Sequence, residues 1–101
     1  MTERQQLEFY DTKTAVFSRA GYRCEVCGKP LNLVSHPQIA HRIPQATRFL
    51  VKYGKRVVHH PMNLAATCCL ECNAAVDIRN HPQEIRSLVE KIRAALEVTN
   101  A

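Results

Sequence analysis

Two cysteine pairs with the same spacing, Cys24-Glu25-Val26-Cys27 and Cys69-Leu70-Glu71-Cys72, constrain the fold of this chain more than any other feature. Each pair offers two thiols from one tight turn, and two such turns can present four thiolates to a tetrahedral ion at Zn–S distances of about 2.3 Å. Gly28 follows the first pair, where a tight metal-binding turn often requires glycine. Closing the long loop between the pairs costs on the order of 4 kcal/mol in chain entropy. A structural zinc site contributes roughly 10 to 16 kcal/mol, so the ion outweighs the closure. The staple matters because 101 residues with 6% aromatics and no Trp give a single domain with a modest core. Five cysteines are an odd number, and the first ten residues, MTERQQLEFY, carry no apolar signal core. A soluble, cytoplasmic protein with bound zinc is therefore expected over a disulfide framework. Cys68, the fifth cysteine, is assigned as a small buried hydrophobe, because Cys69 with Cys72 repeats the spacing of Cys24 with Cys27.

Around these pairs the hydrophobic pattern predicts an α+β domain without internal linkers. Residues 4–20 read as a helix, with Leu7, Tyr10, Thr14 and Phe17 on one face, Val16 and Ala20 widening it, and Gly21 as its stop. The middle of the chain is rich in turns and shows two short β-like runs, at 38–42 and 55–59. Helical character resumes near Cys69, breaks at Asn80-His81-Pro82, and restarts over about 82–98 with Ile85, Leu88, Val89, Ile92, Ala95 and Leu96 along one stripe.

A second group of chemical interest lies among these elements. His41 sits in QIAHRIP, Asn63 in HHPMNLAATC, and Asn73 directly after the fourth paired cysteine in CLECNAAVD. A neutral imidazole can take a proton from water near neutral pH, and a side-chain amide can hold one ring nitrogen while the other works. On a helix starting near Cys69, Asn73 and Asp77 are four residues apart on one face. Asp77 is the better anionic ligand for a hard ion such as Mg²⁺ or Mn²⁺.

The order of Cys24-x-x-Cys27-Gly28, His41-x-Ile43-Pro44, Asn63-Leu64 and Cys69-x-x-Cys72-Asn73, with RAGYRCEVCGKPL leading in, resembles the zinc-bound subgroup of the HNH endonucleases over about residues 19–77. The resemblance implies a small ββα-metal (His-Me finger) core flanked by N- and C-terminal helices, and a nuclease that hydrolyses phosphodiester bonds in DNA. It implies that His41 is the general base, Asn63 orients its imidazole, Asn73 binds a catalytic divalent ion, and the four paired cysteines hold a separate structural zinc. Many members carry Asp, Glu or His just before the base histidine as a ligand, and here that residue is Ala40. Three expectations follow. Asp77 or a histidine of the His59-His60 pair, with His60 preferred, supplies the missing ligand; or His41 itself touches the metal; or the site has decayed and the domain is a zinc-braced module that binds nucleic acid or protein.

A net charge of +5 suits a polyanionic partner. Arg42, Arg48, Lys52, Lys55 and Arg56 are the candidate DNA contacts, and RFLVKYGKR at 48–56 interleaves cations with Phe49 and Tyr53. No base-reading module is visible, so low sequence specificity is expected. No apolar run is long enough to cross a membrane, and nothing in the sequence sets the oligomeric state.

Overall fold

The computed structural model describes residues 12–100. Residues 4–11 of the expected first helix, with Leu7 and Tyr10, lie outside the described residues. Residues 12–19 are helical (α1) and bury Val16. The Tyr22 amide donates to the Phe17 carbonyl and the Gly21 amide to that of Ser18, with Gly21 at φ +65°. This paired closure satisfies two of the orphan carbonyls at the helix end and uses the left-handed conformation that glycine adopts freely.

Strand β1 (Gln38–His41) runs antiparallel to β2 (Leu64–Thr67), pairing Gln38 with Thr67, Ile39 with Ala66, Ala40 with Ala65 and His41 with Leu64. Between them lie α2 (Thr47–Tyr53), α3 (Lys55–Val58) and a 3₁₀ turn at Pro61–Asn63. Helix α4 (Leu70–Val76) follows β2 and packs on both strands, and α5 (Pro82–Asn100) closes the chain. The result is a small α+β fold with a two-stranded antiparallel sheet.

The second β-like run is corrected by the structure. Residues 55–58 form α3, and the partner of β1 is Leu64–Thr67 instead. Gly54, at φ +87°, lets the chain leave α2 and restart a helix at once, and consecutive Val57 and Val58 are both buried in it. They join Ile43, Phe49, Ile85, Val89 and Ile92 in one core cluster, so the expected stripe of α5 supplies three of its buried residues. A second cluster gathers Val16, Cys24, Leu31, Leu64, Ala66 and Cys72 around the cysteines.

A third, smaller cluster decides where helix and sheet meet. Ala40 and Ala65 pair across the strands and receive Val76 of α4, and Ala40 is only 6% exposed. Small side chains on the sheet let α4 approach closely. The Ile78 amide then donates to the Arg42 carbonyl at 2.8 Å, which draws the segment after α4 against the end of β1. No helix among the described residues is long and apolar enough to cross a membrane.

Candidate functional site

The first knuckle forms because residues 24–29 close on themselves. The Gly28 amide donates to the Cys24 carbonyl and the Cys24 amide to the Lys29 carbonyl, both at 2.9 Å, with Gly28 at φ +80°. Glu25 fastens this knuckle to β2. Its amide donates to the Ala66 carbonyl at 2.9 Å, and its carboxylate accepts from the Ala66 amide at 2.6 Å. Arg19 and Arg42 flank the same carboxylate at 3.4 and 3.6 Å.

Four thiols converge: the Sγ atoms of Cys24, Cys27, Cys68 and Cys72 all lie within 4.8 Å of one another. The Cys27–Cys68 and Cys68–Cys72 separations are 3.5 and 3.7 Å. A tetrahedral zinc with bonds of about 2.3 Å needs ligand edges of about 3.8 Å, so the donor set and its spacing fit the ion. The quartet corrects the expected fourth ligand, because Cys68 takes the place assigned to Cys69. Cys69 is the extended N-cap residue of α4, at φ −162° and ψ 171°, and its Sγ stays 3.8 Å from that of Cys68. Cys68, one residue earlier, stands four residues before Cys72 and faces the first knuckle. The thiols do not ionise alike. Burial raises the Cys24 thiol, but the amides of Cys27 and Val26 outweigh it and bring it down to about 6. Contact with Cys27 pushes Cys68 up to about 12, and burial pushes Cys72 up. Neighbouring thiolates repel one another, and a divalent cation relieves that repulsion.

The second site is a cleft of about 330 Å³ lined by His41, Gln45, Asn73, Asp77 and Arg79, among others, and separate from the thiols. His41 ends β1, Asn73 projects from α4, and Asp77 and Arg79 follow that helix. Burial first, and the neighbouring His59 second, lower the His41 pKa to about 4, so its ring is neutral at pH 7. Both ring nitrogens are engaged: Nε2 lies 3.2 Å from His59 Nδ1, and Nδ1 lies 3.2 Å from Gln45 Nε2. An amide nitrogen only donates, so Gln45 leaves the acceptor lone pair at Nδ1 and the His41 proton at Nε2, which donates to His59. The nitrogen able to take a proton therefore faces Gln45 and the cleft.

Several expected roles are redistributed. Asn63 does not hold the His41 ring. It is fully buried, accepts from the Ile43 amide at 2.8 Å, and donates to the carbonyls of Ile43 at 3.0 Å and Val58 at 2.8 Å. It thus ties the turn after β1 to the end of α3, which carries His59 toward His41. Histidine His60 is turned away from that contact: its Nδ1 accepts from the Met62 amide and caps the 3₁₀ turn. Of the His59-His60 pair it is His59, and not the preferred His60, that meets His41, and Gln45 is a partner that spacing did not single out.

The cleft does not fit a divalent cation. Asn73 is bonded to Thr67 and Gln38. Both Asp77 oxygens accept from Arg79, one from its amide at 2.9 Å and one from its guanidinium at 2.7 to 2.8 Å. Arg79 accordingly holds the Asp77 carboxyl below its usual range despite partial burial. Ala40 has no donor atom, and the thiol quartet is the only metal-competent group of His, Cys, Asp and Glu among the described residues. Of the candidate DNA contacts, Arg42 is engaged with Glu25, Lys55 and Arg56 lie exposed on α3, and Arg48 and Lys52 border a separate cavity with Arg79. Comparison of the chain with family models, with curated proteins and with solved structures gave no match.

Proposed function

We propose that this chain is an HNH-type endonuclease that hydrolyses phosphodiester bonds in DNA, with His41 as base and a zinc ion on the thiol quartet bracing the fold. The observation that carries the reading is the meeting of His41, from a strand end, with Asn73 and Asp77, from the following helix, on one open cleft apart from the thiols. Strand β1 and helix α4 border that cleft, and β2 joins them in chain order, which is the order the resemblance implies. His41 is neutral at physiological pH, as a base must be before it accepts a proton, and the burial that lowers its pKa to about 4 makes it a weaker acceptor than a free imidazole. Water attacks phosphorus as its proton passes to His41 Nδ1, once Gln45 gives up its hydrogen bond to that nitrogen. The bond from phosphorus to the leaving oxygen breaks, and the leaving oxygen takes a proton from solvent. Arg79 lines the same cleft, and it offsets the charge gathering on the phosphoryl oxygens by turning from its ion-pair partner Asp77 to the phosphate. No step is routed through a divalent ion, because the donor set does not fit one.

One contact favours a second reading. With Asp77 saturated by Arg79 and Ala40 apolar, the cleft resembles a site that has lost its cutting machinery, and the domain is then a zinc-braced binding module. Plasmid nicking separates the two, using zinc-loaded protein in Mg²⁺, Mn²⁺ or a chelator too weak to strip zinc, with His41→Ala beside wild type. Nicking lost in His41→Ala supports the hydrolase. Nicking that survives the substitution removes His41 as base, and no nicking under any condition leaves the binding module.

A further inference from the structure

A cavity of about 310 Å³ opens between α2 and the start of α5, bordered by Arg48, Phe49, Lys52, Tyr53, Arg79 and Arg86. Its lining includes four cations and no carboxylate. None of Arg48, Lys52 and Arg86 takes part in an ion pair among the described residues, whereas Arg19, Arg42 and Arg79 all do. The unpaired charges are held over a small aromatic platform. The Phe49 and Tyr53 rings stack with centroids 6.5 Å apart and planes 10° apart. The Arg48 guanidinium lies 4.5 Å from the Phe49 centroid, and the Lys52 ammonium 5.4 Å from that of Tyr53. Unneutralised cations held close together cost free energy unless an anion joins them.

Arg79 also lines the His41 cleft, so the two cavities share one side chain. A strand whose reacting phosphate lies by His41 therefore meets a second cationic cavity across Arg79. We infer that this cavity is a subsite for the flanking phosphates of one nucleic-acid strand, with Arg48, Lys52 and Arg86 as phosphate contacts and Tyr53 as a stacking surface. The assignment rests on the nucleic-acid reading above. Its volume lies at the lower end of small-ligand pockets, roughly 300 to 1,000 Å³, which suits a single nucleotide unit and not a duplex. Cations interleaved with aromatic rings are the chemistry that grips single strands without reading sequence.

The test is fluorescence anisotropy of a labelled short oligothymidylate with zinc-loaded full chain, repeated across a series of salt concentrations. The Arg48→Ala/Arg86→Ala double variant, with an unchanged melting temperature as its folding control, is expected to bind about tenfold or more weakly. Losing two phosphate contacts should also reduce the slope of log K against log salt by about 1.4, at roughly 0.7 per contact. Tyr53→Leu should weaken binding while leaving the slope intact. Equal affinity and slope in the folded double variant overturn the subsite. So does tighter binding of a duplex of equal length, or equal competition by polyglutamate of matched charge. If these shifts appear while wild type nicks no plasmid, the hydrolase reading fails and the subsite stands. If wild type nicks and the double variant binds unchanged, the subsite fails alone.

Discussion

Replacing Asn63 by alanine should damage this protein more than replacing any residue of the open cleft, and the reason is a count of stranded groups. The side-chain amide is the partner of the Ile43 amide, the Ile43 carbonyl and the Val58 carbonyl at 2.8 to 3.0 Å, and Asn63, Ile43 and Val58 are each 0% exposed. A buried polar group left without a partner costs about 1 to 3 kcal/mol. Water entering the vacated space recovers part of that, so the three together should cost about 3 to 5 kcal/mol. Small domains have about 5 to 15 kcal/mol in all, so much of the stability goes. Urea unfolding of zinc-loaded Asn63→Ala, at fixed free zinc, should show a lower midpoint with an unchanged m-value. Asn63→Asp sharpens the reasoning. It keeps one acceptor for the Ile43 amide but turns a second oxygen toward two carbonyls, which raises the folded-state pKa of the new carboxyl. Relative to wild type, its deficit in stability is then smallest at low pH and grows as pH rises through about 4 and above. A cost for Asn63→Ala within about 1 kcal/mol of wild type would refute the account of Asn63 as the buried tie between β1 and α3.

Two other outcomes test the same structure. Cys68→Ser should lose zinc to a competing chelator and melt at lower temperature, while Cys69→Ser keeps one zinc per chain; zinc loss that follows Cys69 instead would reverse the ligand assignment. For His41 the folded pKa is about 4 against about 6.5 unfolded, so the unfolded state binds the proton first as pH falls, and stability declines below about pH 6.5 toward pH 4. The ring is partly solvated, so between pH 7 and 5.5 wild type should lose only about 0.5 to 1 kcal/mol more than His41→Gln, a difference in which zinc effects cancel. Parallel pH profiles for the two proteins would contradict it.

What the sequence made legible was what neighbouring residues settle among themselves. The CEVC turn with its following glycine, the Gly21 stop and the α5 stripe depend on spacing within one or two turns of chain, and each lies where the pattern points. The strand Leu64–Thr67 left no such trace. All four of its residues are buried, so it lacks alternation, and alanine is a weak strand former, whereas Val57-Val58 mimics a strand and is helical. Cys68 and Cys69 are indistinguishable by type, and the choice between them depends on how β2 turns into α4. His59 and His60 pose the same problem. The 3₁₀ turn after them claims the His60 ring, which leaves His59 for His41.

Ala40 shows how such limits bear on function. Judged by position, it is a missing ligand. In the fold its methyl is packed against Ala65 and Val76, and that contact sets how closely α4 lies on the sheet. Ala40 also borders the His41 cleft, but a larger side chain there would have to displace the packing against Val76 of α4, the helix that carries Asn73 and leads into Asp77 and Arg79. The cleft instead holds the Asp77–Arg79 ion pair, set beside the end of β1 by the Ile78–Arg42 hydrogen bond, so its acidic lining residue is already paired. Restoring the acid alone, as Ala40→Asp, should for this reason lower stability without creating a divalent-ion site. Asp77 would still be held by Arg79, and Asn73 would still be bonded to Thr67 and Gln38.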